Sequence, residues 1–207
     1  MAHIVREASW GVIDIVVHEG RVFVQERWKY IFTEDPGVAA WTLAEKRRFH
    51  NAVDKQIWAA WSNRVRLTAT GTARFARDNP RVPVNFDVRW VTRGEHWTVN
   101  VRKLPAGSTP TTFISNVDRP LMHVNLDSAD LDAYDVSNSA GASRRFRAVP
   151  HEFGHTFPGV DDEYVATSPH AGDADSIMNI GREVRARHLQ PLIDELNRMV
   201  PNCTFSA

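Results

Sequence analysis

The sequence predicts an α+β domain in which a twisted, mostly antiparallel sheet packs against a few helices. Three observations carry this. β-branched and aromatic residues alternate with polar ones over much of residues 11–104, one strong amphipathic pattern interrupts them at 43–62, and helical spacing returns near the C-terminus.

Taken in order, Gly11–Val17 and Val22–Phe32 flank His18-Glu19-Gly20-Arg21, the pattern of a hairpin. Thr42-Leu43-Ala44-Glu45 has the form of a capping box, with Thr42 set to cap backbone N–H groups and Glu45 to reach back. Behind it Phe49, Val53, Ile57, Ala60 and Trp61 recur at three- and four-residue spacing, so a helix is predicted over 43–62. Residues 64–104 return to period two: Val84, Phe86, Val88 and Trp90 share a face, and Trp97, Val99 and Val101 resume it after Thr92-Arg93-Gly94-Glu95. Leu121–Leu126 fits a strand, while 105–120 and 127–142 are rich in Ser, Thr, Pro, Asp and Gly and read as loops. From about Glu183 to Val200, Val184, Leu189, Leu192, Ile193, Leu196 and Met199 line one side of a helix that Pro191 would kink and Pro201 stop. By periodicity most of the 7 tryptophans belong to the core. The unit predicted is one domain over 1–207, with hairpin, helix and sheet in 1–140 and a short helix, a loop and the terminal helix in 143–200.

Bulk composition excludes several functions. Lys plus Arg and Asp plus Glu balance at 25 each, so no net positive field is available for nucleic acid or an anionic membrane, although a local basic patch would survive the sum. The 1 cysteine, Cys203, rules out an intrachain disulfide and a Cys-rich metal site. The apolar run near the N-terminus is short, broken by Asp14 and without a basic leader, and reads as a strand rather than a signal peptide. No apolar run is long enough for a membrane span.

One motif carries chemistry. His151-Glu152-Phe153-Gly154-His155 matches H-E-x-x-H, in which positions i and i+4 of a helix project two imidazoles from one face. Imidazole nitrogen suits Zn2+ at a site that keeps a coordination position open, and Glu152 stands where it can take a proton from water. Pro150 is compatible with the helix only in its first turn, so the helix is expected to begin near 148, and Pro158-Gly159 ends it. A third ligand is required, and the sequence offers several. In the compact pattern H-E-x-x-H-x-x-G-x-x-(His/Asp) the last position is Asp161, but Pro158 occupies the glycine position and Gly159 follows one late, which makes Asp162 the candidate in a loop one residue longer. A later helix supplies Glu183, and His188 is a further choice.

Two blocks, VPHEFGHTFPGVDDEY at 149–164 and DADSIMNIGREVRARH at 173–188, resemble the metallopeptidase toxin domains of bacterial polymorphic and contractile-injection systems, above all the zincin domain at the C-terminus of type VI secretion spike (VgrG) proteins. The resemblance implies a zincin-like fold, a zinc ion on His151 and His155, Glu152 as catalytic base, and a downstream glutamate as third ligand, which puts Glu183 ahead of Asp162. It also casts Ser176-Ile177-Met178-Asn179 as a methionine turn beneath the metal, and His188, with Tyr164 as a lesser candidate, as stabiliser of the oxyanion. The role implied is that of an antibacterial effector, secreted without a cleaved signal and delivered to the periplasm of a rival. There it would act on protein or peptide substrates of the envelope, with a secretion spike and a cognate immunity protein as partners. The alternatives are a cytoplasmic or secreted housekeeping protease and an inactive zincin used for binding. His123 and Asn125, on the strand before the motif, are candidates to face substrate; His3, His18, His50, His96 and His170 have no metal-like spacing.

Overall fold

The N-terminal alternation folds as a three-stranded antiparallel meander in the computed structural model, which describes residues 2–110 and 115–207. Residues 111–114 belong to the stretch read as loop at 105–120, and that part of the reading lies outside the described residues. The single apolar run splits into β1 (His3–Glu7) and β2 (Val12–Val16), because the chain turns between Ala8 and Gly11, with the Ala8 amide donating to the Gly11 carbonyl at 2.9 Å. β2 then pairs with the long β3 (Arg21–Glu34) across the expected turn, where Gly20 sits at φ +60.

The capping box forms as the spacing predicts. Thr42 Oγ1 accepts from the Glu45 amide at 3.2 Å and Glu45 Oε2 accepts from the Thr42 amide at 2.7 Å, opening α1 (Leu43–Trp61). Its buried stripe is Phe49, Val53, Ile57 and Trp61. After it come β4 (Arg66–Gly71), α2 (Arg74–Asp78), β5 (Arg81–Trp90), β6 (Trp97–Lys103), β7 (Asn116–Asp118) and β8 (His123–Asp127). A small separate hairpin, β9 (Tyr134–Ser137) with β10 (Ser143–Phe146), leads into α3 (Ala148–His155); α4 (Gln190–Met199) and β11 (Cys203–Ser206) close the chain.

The protein is α+β, with a sheet-dominated core and few helices. The sheet order is β11-β4-β5-β3-β6-β8-β7; most of its pairings are antiparallel, as expected, but its centre is not, since β5, β3, β6 and β8 all run parallel. The reason lies in β3. It is 14 residues long, and β5 covers its first half on one edge, whereas β2 and then β6 share the other edge. The chain crosses β3 at Trp28, which is in register with both Trp90 at the end of β5 and Trp97 at the start of β6. Residues 91–96 therefore join two strands that do not pair with one another. Strand alternation carries no information about direction, so this was not legible in the sequence.

Other departures have similarly local causes. β7 lies within the stretch read as loop because β8 offers it a free edge, and β9 lies within 127–142 because β10 pairs with it. The terminal helix does not start at Glu183. Glu183 makes an isolated bridge with Ser176, residues 186–189 form one 3-10 turn, and α4 begins at Gln190 with Pro191 in its first turn, where a missing N–H costs nothing and produces no kink. Four tryptophans, Trp10, Trp28, Trp61 and Trp97, are buried, whereas Trp58 is 44% exposed. Cys203 is buried and unpaired. Among the described residues no helix is long and apolar enough to cross a membrane.

Helix α3 is held between α1 and the sheet. Phe153 is fully buried against Trp28, Trp61, Phe86 and Phe157, and the Trp61 indole N–H donates to the Pro150 carbonyl at 2.8 Å. Gly154 lets this packing close: a Cβ there would meet Met178 Sδ at 2.2 Å and Trp61 at 2.9 Å. The side of α3 that carries His151 and His155 is thus fixed by aromatic burial on the other side.

Candidate metal centre

Among the described residues one His/Cys/Asp/Glu group could hold an ion: His151, His155 and Asp162, whose ligand atoms all lie within 4.8 Å of one another. The two imidazole Nε2 atoms are 3.2 Å apart, and Asp162 Oδ1 lies 3.1 Å from the first and 2.9 Å from the second. The opposite ring nitrogens face backbone carbonyls, His151 Nδ1 to Ile177 O at 2.8 Å and His155 Nδ1 to Val160 O at 2.9 Å. A carbonyl can only accept, so each Nδ1 carries the hydrogen, and whenever a ring is neutral its Nε2 lone pair turns inward. Three acceptors then converge on one point with no donor between them, an arrangement that demands positive charge.

The titration shifts say the same. Burial alone would depress the His155 imidazolium, but the hydrogen bond to Asp162 and the charges of Glu152 and Asp162 outweigh it and hold the pKa above its ordinary value. Burial would raise the Asp162 carboxyl, but the two imidazoles hold it far below the usual carboxylate range. A proton or a metal ion can supply the missing charge.

The loop after α3 decides which aspartate turns inward. Thr156 Oγ1 is anchored to the buried Glu26 at 2.6 Å, Gly159 reverses the chain at φ +72, and Val160 presents its carbonyl to His155. Asp161 points outward, 76% exposed at its side chain, and pairs with Arg119 Nη1 at 2.8 Å. Asp162 returns to the histidines and accepts from the Tyr164 hydroxyl at 2.9 Å on its other oxygen. The Tyr164 ring lies 5.9 Å from that of His151.

Glu183 is not brought to this group. Its side chain is 61% exposed and bonded to Arg185 Nη1 at 2.5 Å, because the Ser176–Glu183 bridge spends the segment on backbone pairing. His188 does not face the cleft either. Its Nδ1 accepts from the Arg185 amide at 3.1 Å and its Nε2 lies 3.1 Å from Glu163, which also takes a two-pronged bond from Arg187. Buried at 3% exposure against Trp61, it ties the 3-10 turn to the loop and has no nitrogen left for an oxyanion. The Ser176–Asn179 turn does lie beneath the helix: Met178 is fully buried at Gly154, and Ile177 provides the carbonyl for His151.

Glu152 lines an open cleft of about 760 Å³ together with His155, Asp162, Tyr164 and the segment Ser115–Pro120. Its Oε2 is buried with no hydrogen-bond partner, and burial raises its carboxyl above the ordinary value against the pull of His151 and His155. An orphaned buried oxygen beside three converging acceptors fits a site that takes up an ion and a polar ligand. His123 and Asn125 lie on β8, behind edge strand β7, and do not line this cleft.

Arg119 was not singled out in the sequence. Its Nε donates to the His155 carbonyl at 2.8 Å, Nη1 reaches Asp161, and Nη2 donates to the Val160 carbonyl, so one guanidinium braces the whole ligand loop. It lies in a stretch with no motif, and only its proximity in space marks it. The arrangement defines a candidate centre with two histidines and one carboxylate beside the Glu152 carboxyl, whose Oε2 has no hydrogen-bond partner. No family model, no curated protein and no solved structure matches the chain.

Proposed function

We propose that the protein is a zinc-dependent metallopeptidase of zincin-like build, with His151, His155 and Asp162 as ligands and Glu152 as base. The observation that carries this is the convergence of three lone-pair-bearing atoms with both Nδ1 groups already committed to backbone carbonyls. Bound there, the ion supplies Lewis acidity, polarising a peptide carbonyl and acidifying water. The residues of the chain do the rest. Glu152, desolvated and with its Oε2 unpartnered, takes a proton from water and passes it to the leaving amine. Tyr164 holds Asp162 in place through its hydroxyl, Arg119 holds the loop, and the cleft beside Ser115–Pro120 accommodates an extended substrate.

Two histidines and a carboxylate also serve ferrous oxygenases. Glu152 favours hydrolysis, since an oxygenase has no use for a buried base aimed at the same cleft. Purified chain assayed for metal content and for cleavage of an unfolded protein tests the reading. Zinc is expected to restore activity after chelation, and activity retained by Glu152→Ala would sink it.

The biological role we propose rests on the two motif blocks: an antibacterial effector carried by a secretion system and acting on envelope protein or peptide in the target periplasm. Expression of the chain with and without an export signal tests it. Growth arrest on export alone, abolished by Glu152→Ala, is the expected outcome; equal tolerance of both forms points to a housekeeping protease.

A further inference from the structure

A second cavity, of about 410 Å³, shares no lining residue with the metal-site cleft. Lys55, Arg64, Arg147 and Arg182 surround it, no carboxylate lines it, and none of the four belongs to an ion pair among the described residues. Neighbouring arginines do find acids: Arg144 pairs with Asp175 and Arg185 with Asp173. In a chain whose charges balance at 25 and 25, this is a local excess of positive charge.

The guanidiniums are held rather than free. Arg64 Nε donates to the Ala59 carbonyl at 3.1 Å, Arg147 Nη1 to the Leu131 carbonyl at 3.3 Å, and Arg182 Nε to the Arg145 carbonyl at 3.2 Å. A guanidinium has five N–H donors, so each keeps several for a ligand. Between the charges the walls are largely apolar, formed by Ala59 and Ala60 of α1 with the buried Pro150 and Ile177, and Gln56 is the one uncharged polar side chain among them.

We propose that this cavity binds an amphipathic anion, a carboxylate or phosphate monoester carried on a short apolar chain. The head pairs with the guanidiniums and the chain lies against the alanine, proline and isoleucine walls. An inorganic anion alone would leave the walls wet, and a neutral or cationic amphiphile would leave the four charges unanswered.

Calorimetry on the full chain tests this with octanoate, octyl phosphate, inorganic phosphate and octyltrimethylammonium. A His151→Ala/His155→Ala background keeps phosphate from reporting on the metal centre. Saturable binding of octanoate or octyl phosphate is expected, and which of the two is tighter identifies the head group. Arg64→Glu and Arg182→Glu, both at exposed positions, should each weaken it about tenfold or more. The proposal is overturned if neither anion binds, if octyltrimethylammonium binds as well, if inorganic phosphate matches octyl phosphate, or if both charge reversals bind like the parent. Binding retained in the His151→Ala/His155→Ala background would stand even if the peptidase reading failed.

Discussion

His151 Nδ1 lies 2.8 Å from the carbonyl oxygen of Ile177, a partner 26 positions further along the chain. That one contact fixes the tautomer of the ring and so aims its Nε2 at Asp162, 3.1 Å away. The candidate metal centre is therefore built jointly by α3, the loop that follows it and the Ser176–Asn179 turn.

The competing third ligands can be separated directly. Asp162→Asn removes the anionic member of the converging group and is expected to weaken zinc binding by roughly 100-fold or more. Glu183→Gln should leave it within about fivefold, since that side chain is exposed and bonded to Arg185. Competition with a chelator of known affinity measures both.

For Glu152 the expectation is a split between binding and turnover. Glu152→Gln should bind zinc as the parent does, yet lose about 100- to 10000-fold in kcat/KM on a peptide substrate, the range for loss of a general base. Metal content by elemental analysis and initial rates on the same preparation report the two quantities.

Arg119 acts by position. Arg119→Ala frees the His155 and Val160 carbonyls and should lower zinc affinity about 10- to 100-fold, the usual effect of losing outer support. Asp161→Asn, which loses only an exposed ion pair, should change it by less than about fivefold. Equal effects of the two would show that the bracing of the loop does not matter.

Gly154 tests the packing beneath the site. Gly154→Ala drives a methyl into Met178 and Trp61 and is expected to destabilise the fold by about 1–3 kcal/mol. Met178→Ala in the same background should recover part of that loss relative to the sum of the single changes, as a double-mutant cycle in denaturant would show.

Glu26 predicts a pH dependence. Burial pushes its carboxyl up to about 8, opposed in part by Thr156 and Trp28, from an ordinary value of 4.5. Between those values the folded protein retains a proton that the unfolded chain has released, so stability falls as pH rises through this window. The contribution is intact below about 4.5 and gone above about 8. Glu26→Gln can still accept from the Trp28 indole and donate to Thr156, and should be more stable than the parent at pH 8.5 by on the order of a few kcal/mol. The difference should vanish near pH 4.5; melting curves at both values provide the check.

Much of the molecule was legible in the chain because the signals were local. The capping box at Thr42, the stripe Phe49–Val53–Ile57–Trp61, the turn at Gly20 and the i, i+4 histidines each depend on a few adjacent residues, and each element formed as its spacing predicts. The late glycine at 159 even kept Asp162 in view as a ligand for a loop one residue longer. The tertiary structure alone decided what depends on distant partners. Strand period says which face is buried but not which neighbour a strand takes or in which direction, so the parallel centre around β3 was hidden. An acidic residue in a sequence shows no preference between a metal and a guanidinium. The reversal at Gly159 turns Asp162 to the two histidines and leaves Asp161 with Arg119, and Glu183 pairs with Arg185; none of this is visible along the chain.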